Sequence, residues 1–360
     1  YEIPHAHVDV WAVYTNQQPA GAMRGFGGPQ VAFAAEQQLD ILARELKIDP
    51  ITLREINALE KGKATITGHV LGEGIGFKEC LAEVRKALAK TKIPLSQGSK
   101  KIGVGIAGAY KNVGLGTGRP EAAGAYLILQ SDGWVDLKVG CVDSGQGIDT
   151  ALAQIAADTI GVPYGRIRVQ AGDTHQTPDA GVTTSSRMVF LSGNAVYEAA
   201  QLLRRQLCQQ AALLLKLEAE QVNLLAGTFV DSSGQELMPL DQFAALIEQR
   251  GEKIRVEHHY TAPQTYPIPA HAESYPKDPE EDRLHYAYCF GAHGAVAEVD
   301  EESGAVKVLT YIAAHDTGKA IHKQNIEGQM EGGVVMGLGY ALSEEFKLEQ
   351  GWPVTDNLHK

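Results

Sequence analysis

The sequence predicts an α/β fold with mixed sheets, built from repeated units of strand, glycine loop and helix. Three observations carry that prediction. Stretches such as "KIGVGIAGAYKN" alternate apolar and small or polar residues like strands. Between them lie segments with one apolar helical face. And one order of elements occurs twice: "GWVDLKVGCVD", "SGQG", "IDTALAQIAADTIGV", then "GAVKVLTYIAAHD", "TGKAIHKQN", "IEGQMEGGVVMGLGYALSEEF". Asp143 and Asp316 hold matching places, and Gln146 and Gln329 lie near the two turns, as in two halves facing a shared site.

From the N-terminus, "HVDVWAVYTN" alternates like a strand. The loop "GAMRGFGGPQ" follows, packing four glycines and a proline around Arg24 and Phe26. Glycine costs more ordering entropy than any other residue, so this backbone must approach something closely or take angles other residues avoid. Pro29 suits the first turn of a helix. Val31, Ala35, Leu39, Leu42 and Leu46 then recur at spacings of three or four and predict its buried face. Asp49-Pro50 caps a second helix, "ITLREINAL", and "KECLAEVRKALAK" is a third. Further on, "NAVYEAAQLLRRQLCQQAALLLKL" reads as a long helix and "GTFVDSSGQELM" as a hairpin. The proline-rich stretch Thr261–Pro279 reads as a linker or excursion. The expected division is 1–100, carrying the glycine loop and helices, then 101–262 and 263–360, each with one of the repeated units.

The net charge of −12 argues against a nucleic-acid binder, since phosphate contacts need excess Lys and Arg. No apolar run approaches the roughly 20 residues of a membrane span. Cys80, Cys141, Cys208 and Cys289 form no CxxC pair and no iron–sulfur pattern, which suits a reduced, cytoplasmic protein. There is no GxxxxGK[ST], no HExxH and no GxSxG, which leaves P-loop, zinc-protease and hydrolase chemistry without a signal. His258-His259 falls on a predicted strand, pointing two ways, and reads as surface.

Three stretches can carry chemistry. Gly328, Gly332, Gly333, Gly337 and Gly339 fall in one predicted helix and together forgo about 4–5 kcal/mol relative to alanine. The bare face they leave suits close helix packing or a flat polar ligand. In "GDTHQTPDAGVTTSSRMVFLSGNA", the hydroxyls of Thr183 to Ser186 end in Arg187, suited to phosphate or to the hydrogen-bonding edge of a heterocycle, or to a polar surface loop. "SGQG", with Gly145, Gln146 and Gly147 before a helix, suits an anion cradle.

Taken in order, "YTNQQPAGAMRGFGGPQ", "SGQGIDTALAQIAAD", "GDTHQTPDAGVTTSSR", "LSGNA" and "HDTG…GQMEGGVVMGLG" resemble the molybdenum-binding subunit of the xanthine dehydrogenase and aldehyde oxidoreductase family. The match runs over nearly the whole chain. "AYKNVGLGTG" and "TTSSR" are closer to bacterial xanthine dehydrogenase-like members than to carbon monoxide dehydrogenases, whose active-site loop carries a Cys absent from residues 21–28. The resemblance implies molybdenum held by molybdopterin, or its cytosine dinucleotide, with no direct protein ligand. It implies oxidative hydroxylation of a purine-like or other N-heterocyclic substrate, or an aldehyde, with water as oxygen source. Electrons then leave to [2Fe–2S] clusters and FAD on partner domains or subunits.

On this resemblance Arg24, Phe26 and Ser185 border the substrate, and Gly25, Gly27, Gly145, Gln146, Gly147, Thr184, Ser186, Arg187 and Gln329 hold the cofactor. The family's general-base Glu, in a Gly-Glu stretch, is not found and is expected beyond Lys360; Glu327, Glu331, Glu344 and Glu345 read as structural or solvated. The chain thus resembles the C-terminal half of such a subunit, inactive alone and needing the remainder of the molybdenum subunit with iron–sulfur and FAD subunits. The rival reading is a metal-free relative acting as a binding or assembly scaffold.

Overall fold

A computed structural model describes residues 1–18, 20–268 and 283–357. Most of the stretch Thr261–Pro279 lies outside the described residues. In chain order the elements are α1 (Gly28–Leu46), α2 (Pro50–Ile56), α3 (Phe77–Lys90), β1 (Lys100–Val113), β2 (Ala122–Leu129), β3 (Val135–Val139), α4 (Ile148–Ile160), β4 (Ile167–Ala171) and α5 (Met188–Leu215). A small meander, β5 (Asn223–Leu225), β6 (Thr228–Val230) and β7 (Glu236–Pro239), leads into α6 (Leu240–Gln249) and β8 (Arg255–Thr261). The chain continues through β9 (Ala287–Asp300), β10 (Val306–Asp316), α7 (Lys323–Leu342) and a two-stranded turn, β11 (Leu348–Glu349) with β12 (Trp352–Pro353).

Two sheets organise two cores. The mixed sheet β4-β3-β2-β8 pairs β3 parallel to β4 and the rest antiparallel. Its β3 alternates strictly and β2 does so from Ala125 onward, with Leu127, Val135, Leu137 and Val139 inside. Those side chains meet α4 through Leu152 and Ile160 and α5 through Leu191, Val196, Leu203 and Leu207, all fully buried. Burying each is worth about 1.5–3 kcal/mol, so this is the rigid base from which the loops before α4 and α5 project. The antiparallel sheet β1-β9-β10 covers the second core: Phe290 and Ala292 pack on Phe77, Leu81 and Val84 of α3. β1 pairs with β9 over its whole length, tying Lys100–Val113 to Ala287–Asp300.

The repeated unit is present twice, as β3–Asp143–α4 and β10–Asp316–α7. Two expectations need correction. Residues 7–16 form no strand: Val8, Val10, Trp11, Val13 and Tyr14 are exposed, and no neighbouring strand among the described residues offers the hydrogen bonds that alternation needs. Helix α1 also buries a different face from the one its apolar spacing predicts. Val31, Ala35, Leu42 and Leu46 are exposed and Leu39 half-buried, whereas Glu36 and Ala43 are buried. Glu36 turns inward because Arg54, wholly buried on α2, donates Nε to its Oε2 at 2.7 Å, and Tyr1 donates its hydroxyl to Oε1 at 2.7 Å. A charged network therefore fastens α1, and with it the glycine loop at its N-terminus.

Candidate functional site

The glycine loop is a left-handed turn. Gly25, Phe26 and Gly27 have φ of 95°, 48° and 83°. The Phe26 N–H donates to the Met23 carbonyl at 2.7 Å, and Gly28 N–H to the Gly25 carbonyl at 3.0 Å. A Cβ on Gly25 would lie 2.6 Å from Pro29 Cδ, so the residue opening this turn has no room for a side chain. Positive φ is uncommon for a bulky residue, and such strain collects at sites where the surroundings use it. Here it holds the Phe26 ring 75% exposed.

Arg24 points from this loop onto α7. Its Nη2 donates to the Gln329 carbonyl at 2.6 Å and the Gln329 side-chain oxygen at 3.2 Å. The guanidinium lies along Gly332 and Gly333, where a Cβ would come within 3.6 and 3.5 Å of its nitrogens. A methyl would just touch it and a larger side chain would displace it. The seat for Arg24 therefore excludes side chains larger than a methyl at these two positions.

The loop before α4 supplies the facing wall. Asp143 accepts N–H bonds from Gly145 at 2.7 Å and Gly147 at 3.3 Å. Partial burial opposes ionisation, but these backbone bonds prevail and hold its carboxyl below the ordinary range. Gln146 closes its own loop, accepting from Ser144 N–H at 2.6 Å and donating to the Val142 carbonyl at 2.9 Å. Gly147, at φ 76°, lies against the Asn325 side chain of α7, whose Nδ2 donates to the Gly147 carbonyl at 3.5 Å. Between loop and helix runs a groove of about 470 Å³, lined by Gly145, Gln146, Asn325, Gly328 and Gln329 among others. In the first turn of α4, Asp149 Oδ1 is buried without a hydrogen-bond partner among the described residues. Burial and the nearby Asp143 raise the Asp149 pKa.

The hydroxyl loop adjoins these. Thr183 Oγ1 accepts from Val142 N–H at 3.0 Å, and the Ser185 carbonyl accepts from Gly114 N–H at 3.0 Å. Ser185 and Ser186 are both left-handed, at φ 49° and 51°, Ser185 half-buried and Ser186 exposed. Thr184 is exposed, its carbonyl accepting from Arg187 N–H at 3.2 Å. Arg187 itself is buried: Nε donates to Glu121 at 2.5 Å, and Nη1 to the Ala180 and Val182 carbonyls at 2.8 and 2.7 Å. Its guanidinium braces the loop from below rather than reaching out of it. Glu121, equally buried, also accepts from Leu115 N–H at 2.9 Å and Gly116 N–H at 3.3 Å. Burial opposes its charge, but the bonds from Tyr286, Arg187 and the backbone win and lower its pKa.

Direct hydrogen bonds thus link residue 24 to 329, 325 to 147, 142 to 183 and 185 to 114. Sequence reasoning missed Glu121, Asp149 and Asn325, because an isolated acid or amide beside a turn has no spacing that marks it. Among the described residues, no three His, Cys, Asp or Glu side chains are grouped to hold a metal ion, and no helix is long and apolar enough to cross a membrane.

Comparison with known proteins identifies the family. Residues 79–360 and 1–58 each match a molybdopterin cofactor-binding domain family. A probable xanthine dehydrogenase subunit of Bacillus subtilis (strain 168) is 32% identical over 99% of this chain and 46% of its own length. A putative xanthine dehydrogenase molybdenum-binding subunit of Escherichia coli (strain K12) is 31% identical over 93% of this chain and 43% of its own length. The chain therefore spans less than half of either relative. The aldehyde oxidoreductase of Desulfovibrio desulfuricans superposes with a TM-score of 0.71 at 26% identity, over 91% of this chain and 32% of that one.

Proposed function

Because this chain belongs to the molybdopterin cofactor-binding family of xanthine dehydrogenase-like molybdenum subunits, we propose that it builds the cofactor cleft and part of the substrate wall of a molybdenum hydroxylase. The reaction is oxidative hydroxylation of an N-heterocycle or aldehyde with water as the oxygen source. The remainder of the molybdenum subunit, and [2Fe–2S] and FAD partners that take the electrons, complete the enzyme. Relatives named for xanthine and aldehyde oxidation support the substrate classes. The observation that carries the reading is the meeting, through direct hydrogen bonds, of four loops far apart in sequence.

The residues fit a pterin. Its N–H-bearing edge needs acceptors, and Asp149 Oδ1 is a buried acceptor without a partner among the described residues. Its phosphate needs donors, and the hydroxyls of Thr184 and Ser186 are exposed, whereas the N–H groups of Gly145, Gly147 and Asp149 before and in α4 already donate to Asp143. When bound, the molybdenum–pterin group supplies two-electron redox chemistry and activates water. The chain's own side chains do the rest. Gln329 spends its oxygen on Arg24, leaving its amide Nε2 to donate into the groove. Gly145, Gln146 and Gly147 shape the facing wall, and Gly25 and Gly27 let the 21–28 backbone approach. Phe26 offers a flat apolar surface on which a planar ring stacks, and Ser185 a hydroxyl beside it. Thr184 and Ser186 hold the cofactor's polar edge, while Arg187 acts on it only through the loop it braces.

Quantifying molybdenum and pterin in the intact assembly tests this. One of each per chain, lost when Gln329→Leu and Gly333→Leu are combined, is expected. A wild-type assembly free of both after anaerobic preparation would instead establish a metal-free binding scaffold.

A further inference from the structure

Outside the lining of that groove, the β1-β9-β10 sheet carries an unusual pair. Side chains of Phe290 and Ala292 enter the core against α3, and Val296, on the same face, is buried. By the strand alternation, His293 lies on the opposite face. It pairs with Ala313 on β10, and its diagonal neighbour His315 pairs with Gly291. The two imidazoles aim Nε2 at each other, 2.7 Å apart, with ring centroids 4.8 Å apart. His293 Nδ1 lies 2.9 Å from the Tyr311 hydroxyl. Gly291 makes room for the arrangement: a Cβ there would sit 3.0 Å from the His315 ring. His315 is exposed, so the pair is reached from solvent.

We infer that His293 and His315 form a binding site for a divalent late first-row metal ion such as Zn2+, separate from the cofactor cleft. Two imidazole nitrogens converging on one point are the donor set these ions prefer. Zn–N bonds of about 2.0–2.1 Å in tetrahedral geometry place two such nitrogens roughly 3.3 Å apart. The pair therefore opens by about 0.6 Å, a small χ adjustment for the exposed His315 ring. With both rings neutral, a hydrogen bond across 2.7 Å puts one proton between the two Nε2 atoms. On metal binding each neutral ring carries its proton on Nδ1 instead, and no proton is released. His293 then donates from Nδ1 to the Tyr311 oxygen, the outer-shell bond that orients ligating histidines. No third His, Cys, Asp or Glu joins the pair among the described residues, so water fills the remaining positions.

Isothermal titration of Zn2+ into the assembly, exchanged into metal-free buffer with its native cofactors retained, tests the site. One equivalent per chain is expected, with loss of that equivalent in His293→Gln and in His315→Gln. Tyr311→Phe keeps the stoichiometry and weakens affinity by about 10-fold. Equal melting of the variants in chelator shows that they fold. Absence of the extra equivalent in wild type, or its persistence in both His variants, would overturn the inference.

Discussion

The Glu121–Arg187 pair makes a prediction whose size follows from its burial. Neither side chain is more than 4% exposed, and their contact is 2.5 Å. Removing one partner of such a pair strands a charge in a low-dielectric interior and costs about 3–5 kcal/mol. Arg187→Met should therefore lower the melting temperature by about 6–10 °C at roughly 2 °C per kcal/mol. It also frees the Ala180 and Val182 carbonyls that the guanidinium anchors, so the hydroxyl loop loses its brace and cofactor content falls. Glu121→Leu should act similarly, releasing Leu115 and Gly116 N–H. The double variant replaces a charge pair with apolar bulk, and buried pairs so replaced are often near neutral. Here the backbone groups that both side chains held stay unsatisfied, so the double variant should remain destabilised but melt above the sum of the singles, with a coupling of about 2–3 kcal/mol, while still losing cofactor. Differential scanning calorimetry and metal analysis on the four proteins read both effects. An Arg187→Met protein melting within a degree of wild type, or strictly additive singles, would refute the reasoning.

Three further outcomes are expected. Gly333→Leu should displace Arg24 from α7 and reduce bound pterin while barely changing the melting temperature, since α7 has no buried residue; pterin fluorescence after denaturation measures it. Phe26→Ala should leave cofactor content intact and raise KM for planar substrates by about 2–10-fold, the worth of one lost ring stack. His285 is held near pKa 4 by burial, with Lys111 and His69 adding to the effect. The unfolded chain, titrating near 6.5, binds that proton first as pH falls. The contribution of neutral His285 to stability is thus full above pH 6.5 and declines toward pH 4, and His285→Gln should flatten that limb of a melting-temperature profile.

Much of the fold was legible in the sequence because it rests on local pattern. The apolar spacing of α4 and the strict alternation of β3 place Leu152 and Leu137 in the core they occupy. Pro29 marks the start of α1, and the two strand–acid–loop–helix units appear where expected. What failed was decided by partners. The 7–16 stretch alternates, yet a strand exists only beside another strand. The apolar stripe of α1 faces outward because Arg54, a residue on another helix, captures Glu36. In the site, glycines and hydroxyls stood out by density, and Arg24 on Gly332 and Gly333 accounts for small residues at two of the five helical glycines. Arg187 shows the limit: a guanidinium after four hydroxyls suggests an anion outside, but its buried partner Glu121 lies 66 residues away in sequence, where no spacing rule reaches.

The central claim is that the 21–28, 143–147 and 183–187 loops close with α7 on one flat cofactor. A structure of the cofactor-loaded assembly tests it most directly. The account predicts pterin density in the groove between Gln146 and Gln329, with the Phe26 ring over the substrate side. Pterin bound elsewhere, with that groove holding only solvent, would contradict it.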